Sequence, residues 1–104
     1  MKDGVWRGKR ILPKGWAAES VMPRVDTHEK GFRYGYQWWV PPATASDGAN
    51  PKAFAAWGYG GQFLFVVPDL DLIAVFTGWN IYDKPELDPD LALGRVLNAV
   101  RSPK

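Results

Sequence analysis

The sequence predicts an α+β fold in which an antiparallel sheet carries a terminal helix packed on one face. Three observations lead there. Two apolar runs, 63–67 and 72–76, are separated only by Pro68-Asp69-Leu70-Asp71, and strands joined by so short a turn pair antiparallel. Near the end of the chain, Leu93, Val96, Leu97 and Val100 recur at i, i+3, i+4 and i+7, the period of a helix with one apolar stripe. The stretch 34–40, Tyr-Gly-Tyr-Gln-Trp-Trp-Val, is aromatic and favours strand.

The elements follow in order. Residues 11–20 read as a short helix with Pro13 in its first turn, where a fixed φ is suited, and Pro23 beyond its end. The polar stretch 25–31 reads as a turn, and its lone His28 as a loop residue. The strand 34–40 is closed by Pro41-Pro42, and alternation sends Trp38 and Trp39 to opposite faces. Residues 41–52 form a Pro-, Ala- and Ser-containing stretch that reads as a mobile loop. A short strand at 53–57 leads through Gly58-Tyr59-Gly60-Gly61 into a strand at 62–67; the turn 68–71 and a strand at 72–77 follow. Asp88 is placed as the N-cap of the last helix and Pro89 at its first position. Asp90 near its start and Arg95 and Arg101 toward its end agree with the helix dipole. Gly94 is expected to let this helix pack closely on the sheet.

The runs 63–67 and 72–76 are continuously apolar, the pattern of strands covered on both faces. The terminal helix can cover one face; the short helix at 11–20 is a weak candidate for the other, and nothing else is long enough. An uncovered apolar face is therefore expected, to be met by a missing part of the domain or by self-association.

Composition narrows the function classes. With 104 residues, 46% hydrophobic and 23% charged, the chain suits one small domain or a piece of a larger one and excludes a disordered segment. It has no Cys and a single His, which removes disulfides, thiolate chemistry and Cys- or multi-His metal centres. No metal or cofactor is expected. Basic residues number 13 and acidic ones 11. The one basic concentration, Lys2, Arg7, Lys9, Arg10 and Lys14, is interleaved with aromatics and Gly and reads as a solvated edge, so no nucleic-acid partner is inferred. No apolar run approaches the ~18 residues of a membrane span. The start, Met-Lys-Asp-Gly-Val-Trp, lacks the apolar core of a secretory signal, and the compartment stays unassigned.

Few residues offer chemistry. Ser20 and Ser46 have no Lys three positions on, Ser102 lies almost at the end, and no Gly-x-Ser-x-Gly elbow occurs. The carboxylates Asp69, Asp71, Asp83, Glu86, Asp88 and Asp90 fall mostly in turns, and the acidic pair of the hairpin turn reads as solvated. What remains is Gly58-Tyr59-Gly60-Gly61-Gln62. Glycines before a buried strand let another group approach the backbone, and N–H groups there could hold an oxyanion; the other reading is a bulge or bend. The stretch lacks the Lys-Ser/Thr ending of a phosphate loop and leads into a strand.

Trp57-Gly-Tyr-Gly-Gly-Gln62, followed by Phe-Leu-Phe-Val-Val-Pro-Asp-Leu-Asp-Leu-Ile-Ala-Val-Phe-Thr-Gly78 and preceded by Tyr34-Gly-Tyr-Gln-Trp-Trp39, resembles the C-terminal part of the serine β-lactamase-related hydrolases. These are the class C β-lactamase-like and penicillin-binding-protein-like esterases and amidases. Trp6-Arg-Gly-Lys-Arg-Ile-Leu12 and Trp16-Ala-Ala-Glu-Ser20 extend the likeness over nearly the whole chain. The resemblance implies the C-terminal portion of the β-lactamase/transpeptidase-like fold, whose sheet carries terminal helices on one face and a helical region on the other.

By that resemblance Tyr59-Gly60-Gly61 occupies the third motif of the family. Tyr59 and the backbone N–H of Gln62 are then the catalytic groups, the latter as one half of an oxyanion hole, and Gly60, Gly61 and Trp57 line the substrate. Tyr59 stands where the family has Lys or His, so a fixed positive charge for a substrate carboxylate is missing; ester or amide hydrolysis is favoured over β-lactamase activity. Ser-x-x-Lys and Tyr-x-Asn are absent, since Tyr34-Gly-Tyr, Tyr59-Gly-Gly and Tyr82-Asp-Lys do not fit. Residues 1–104 are therefore expected to be the C-terminal segment of an incomplete domain, inactive alone, which acts on a small ester or amide through an acyl-enzyme only in the complete enzyme. Members are commonly periplasmic or otherwise extracytoplasmic. The competing expectation is a non-catalytic, aromatic-rich module for glycan or peptide, which needs several of Trp38, Trp39, Trp57 and Trp79 on one exposed face.

Overall fold

The structure, a computed structural model, describes residues 2–42, 53–78 and 87–101. Most of the expected loop at 41–52, including Ser46, lies outside them, as do Trp79, Tyr82, Asp83, Glu86 and Ser102. The chain forms an α+β domain with two antiparallel sheets. A two-stranded sheet pairs β1 (Val5–Trp6) with β2 (Lys9–Arg10); helix α1 (Trp16–Val21) follows. A six-stranded sheet then runs in chain order through β3 (Val25–Asp26), β4 (Arg33–Tyr34), β5 (Trp39–Val40), β6 (Phe54–Gly58), β7 (Gln62–Val67) and β8 (Leu72–Phe76). Helix α2 (Pro89–Arg101) closes the described chain.

The long strands form where the apolar runs require them. Phe65 of β7 sits between Ala55 of β6 and Ala74 of β8, two small neighbours that leave room for its ring. Alternation puts Phe63, Phe65 and Val67 on one face, where they make a core with Ala55 and with Ala92, Leu93 and Leu97 of α2. Asp88 caps that helix: its Oδ1 accepts the N–H groups of Asp90 at 2.9 Å and Leu91 at 3.3 Å. The connection 68–71 is a single 3-10 turn over Pro68–Leu70, closed by Asp71 at φ 48°.

The structure corrects several expectations. The helix drawn at 11–20 begins only at Trp16, because Gly15 at φ 80° stands immediately before it and Pro13 belongs to the preceding turn, accepting the Trp16 N–H at 3.1 Å. The turn expected at 25–31 starts with β3, whose Asp26 pairs with Arg33. The single strand drawn at 34–40 is a hairpin: Tyr34 pairs with Trp39, and the loop between them holds Gln37 at φ 62°. Gly35 is the reason. A Cβ there would stand 2.7 Å and 2.8 Å from the carbonyl oxygens of Met22 and Ser20, so the chain folds back against the end of α1. Trp38 and Trp39 nevertheless reach opposite sides, Trp38 meeting Phe54 and Trp39 meeting Tyr34, Phe32 and Trp57.

Two further departures concern the terminal helix. The terminal helix buries Ala92, Leu93 and Leu97, whereas Val100 is 48% exposed; the apolar stripe is one turn shorter than its periodicity suggests. Nothing lies within 4 Å of a Cβ built on Gly94, so close packing is not what that glycine provides. In β8 the residues alternate between half-buried and exposed, with Ile73 and Val75 at 64% and 62%. Only the α2 side of this strand is covered, and the other side carries the uncovered apolar residues that the sequence leads one to expect. The β1–β2 hairpin had no counterpart among the expected elements; its two-residue turn is Arg7-Gly8, at φ 48° and 77°, the left-handed pair that joins strands of right-handed twist.

Candidate functional site

The Tyr59-Gly60-Gly61 turn joins β6 to β7 at one end of the sheet. Gly60 and Gly61 sit at φ 91° and 84°, which residues with a Cβ rarely adopt. They let the chain reverse within three residues and leave Tyr59 71% exposed beside a buried Gly60. Gln62 is the register partner of Gly58, so its backbone belongs to the closing pair of the hairpin. Its side-chain amide donates to the Tyr59 carbonyl at 3.4 Å. From the neighbouring strand end Gly78 abuts the turn. A shallow groove of about 410 Å³ opens beside it, lined by Ala56, Trp57, Gly58, Gln62, Leu64 and Val75 among others.

Of the residues expected at the site, Tyr59, Gly60, Gly61 and Gln62 are thus brought together by one turn. Trp57 turns to the α2 side, its ring centroid 4.8 Å from that of Trp39 and 5.5 Å from that of Phe32. Trp38 lies on the opposite face from Trp39 and Trp57, so these three do not form one flat platform. The Ser20 hydroxyl is buried and donates to the Ala17 carbonyl at 2.9 Å, a bond within its own helix.

A second cluster escaped the sequence. Lys30, in the β3–β4 loop, pairs with the Asp88 carboxylate at the start of α2. With Glu29, Phe32, Trp57, Leu87 and Pro89 they line a cavity of about 190 Å³. The Lys30 hydrogen bond holds the Asp88 carboxyl below its ordinary range, and Asp88 in turn raises Lys30. Burial, and then the Asp88 charge, push Asp90 the other way; its Oδ1 is buried with no hydrogen-bond partner. A carboxylate held ionised by a lysine is a poor general base near neutrality, so this cluster ties a loop to a helix. The two partners are 58 positions apart, and no spacing rule could have joined them.

Among the described residues no group of three His, Asp or Glu side chains is placed to hold a metal ion. Within the same residues no helix is long and apolar enough to cross a membrane. Compared with models of known protein families and with curated proteins, the chain matches none.

Proposed function

We propose that this chain is the C-terminal part of a β-lactamase-related serine hydrolase, carrying the third motif and the oxyanion strand, and that it is inactive alone. The observation that carries this reading is the Tyr59-Gly60-Gly61 turn, an exposed phenol on a glycine reversal that leads directly into the buried strand β7. The exposed apolar side chains of Ile73 and Val75 on β8 support it, because a helical region on that side would complete the layer structure. In the complete enzyme a serine from the missing part attacks an ester or amide carbonyl. The oxyanion then lies between that serine's own N–H and the N–H of Gln62, and the Tyr59 phenol hydrogen-bonds the substrate or its leaving group.

The test is complementation. The isolated chain is expected to leave chromogenic esters and a cephalosporin intact. Fused behind a family half that bears Ser-x-x-Lys and Tyr-x-Asn, it should support turnover of the ester. Serine-dependent turnover by the chain alone, or a folded but inert fusion, overturns the proposal. Amide hydrogen exchange addresses the donor separately: the Gln62 N–H must exchange quickly to be available to a substrate, and strong protection would assign it to the Gly58 pair instead.

A further inference from the structure

We propose that the N-terminal hairpin and the turn after it dock this protein onto an anionic lipid surface. The molecule's charge is segregated. Residues 2–16 hold five of its 13 basic side chains and one of its 11 acidic ones, a net +4, which leaves −2 on all the rest. The single carboxylate, Asp3, is engaged by the Gly15 N–H at 3.0 and 3.1 Å. Arg10 donates to the carbonyls of Asp3 and Leu12 at 3.0 and 2.9 Å. Lys2, Arg7, Lys9 and Lys14 are exposed and take no part in the ion pairs formed among the described residues.

Large apolar side chains share the segment with these cations. Trp6 and Ile11 are 65% and 60% exposed, and Leu12 and Trp16 are exposed as well. Trp6 sits across the hairpin from Lys9, and the Arg7 guanidinium lies 5.4 Å from its ring centroid. Leu12 and Trp16 border a groove of about 280 Å³ that reaches Tyr36, Trp38 and Phe54.

Cations alone would suit any polyanion, and the aliphatic residues decide between them. The phosphate backbone of a nucleic acid, which those cations would meet, offers no hydrocarbon layer to Ile11 and Leu12. A lipid interface takes aliphatic side chains below the headgroups, tryptophan at headgroup depth, and Lys or Arg against the phosphates. The surface is also preformed, since the left-handed Arg7-Gly8 turn and the Asp3–Gly15 contact fix the hairpin relative to α1. This inference is independent of the hydrolase proposal, and either can fail without the other.

The full 104-residue chain is the material for the test. Vesicles of phosphatidylcholine with about a quarter phosphatidylserine should bind it at least about tenfold more tightly than pure phosphatidylcholine. The protein should be released at about 0.5 M salt, where the Debye length has shrunk to about 4 Å. Lys9→Glu should weaken binding at least about threefold, and Arg95→Glu, the same charge change on the exposed side of α2, should leave it unchanged. Equal binding to neutral and anionic vesicles overturns the proposal and assigns the contact to the apolar sheet face. Absence of binding overturns it outright, and displacement from anionic vesicles by duplex DNA at lower concentration overturns it in favour of nucleic acid. The comparison of vesicle types needs no variant to fold.

Discussion

A Cβ placed on Gly78 would stand 2.7 Å from the carbonyl oxygen of Gly60 and 2.8 Å from that of Gly61. The end of β8 and the candidate turn are therefore in backbone contact, and neither carbonyl is a flexible side-chain end that can swing away. Gly78→Ala is expected to destabilise the fold by about 1–3 kcal/mol through forced backbone movement. Gly61→Ala meets open space but must hold φ 84°, which costs about 1–2 kcal/mol. Denaturant unfolding measures both. A Gly78→Ala protein as stable as its parent would show that the two segments do not touch.

The terminal helix offers a contrast within one element. Leu97 is fully enclosed by the sheet, while Val100, one turn further on, faces solvent. Leu97→Ala should cost about 2–5 kcal/mol, whereas Val100→Ala should stay within about 0.5 kcal/mol. Gly94→Ala meets nothing within 4 Å and should stabilise the helix by about 0.5–1 kcal/mol. Equal losses at positions 97 and 100 would mean that α2 packs in another rotation.

The parts of the fold legible in the sequence are those where local chemistry and tertiary packing agree. β7 was bounded correctly at Gln62–Val67 because Gly61 and Pro68 punctuate it, and Asp88-Pro89 marked the helix start for the same reason. The stretch 34–40 misled because aromatic content favours strand everywhere along it, while the reversal depends on Gly35 meeting the carbonyls of Ser20 and Met22. That is a tertiary contact with no local signature. The β1–β2 hairpin gave no local signal either, because its strands are two residues each and Arg is an unusual first residue for the left-handed turn Arg7-Gly8. At the candidate site the glycines were legible and the Gly78 contact was not. The Lys30–Asp88 clasp joins two exposed-looking charges that only the folded chain brings together.

That clasp gives the stability a defined pH response. The Lys30 hydrogen bond lowers the Asp88 carboxyl from its ordinary 3.8. Its contribution is therefore complete above 3.8 and is lost as pH falls through the lower folded value. Asp90 behaves oppositely. Burial raises it above 3.8, so its ionisation opposes folding at neutral pH, and the cost disappears as pH falls through the raised value toward 3.8. Thermal melts of Asp88→Asn should show a loss at neutral pH that shrinks well below pH 3.8. Asp90→Asn should melt higher than the parent at neutral pH and equal to it in acid. Parallel pH profiles for the two variants would remove the assignment.

The face of the sheet that carries Ile73 and Val75 has consequences for the free chain. With Leu64 of β7 across from Val75, and Ala56 of β6 across from Leu64, these side chains form an apolar surface on the side away from α2. The isolated chain is expected to bind a hydrophobic dye or self-associate. Replacing both Ile73 and Val75 with Thr keeps β-branched side chains suited to a strand and should lower both signals without unfolding the sheet. Dye fluorescence and sedimentation velocity provide the measurements. A dye-silent parent that unfolds as a monomer in one sharp transition would contradict the expectation.

Tyr59 is the side chain on which the proposed chemistry turns, and it has to be tested in a complete enzyme containing this segment. Removing only the phenolic oxygen is the cleanest change, because Tyr59→Phe keeps the ring and leaves Gly60 and Gly61 at their left-handed angles. If the hydroxyl hydrogen-bonds the substrate or leaving group, turnover should fall about tenfold or more, as for a lost hydrogen-bonding or acid–base group. Stability should hardly change, since the side chain is mostly exposed. The Gln62 donor belongs to the main chain, so Gln62→Ala should have little effect on turnover, whereas Gln62→Pro removes the N–H. Loss of one oxyanion donor typically costs about 10²–10³ in turnover, but Pro at the start of β7 also disturbs the strand, and its effect has to be read against a melting curve. Steady-state turnover and melting temperature, measured on the same preparations, separate the cases. Unchanged turnover in Tyr59→Phe would reduce Gly58 to Gly61 to a structural reversal and leave Tyr59 without a part in catalysis.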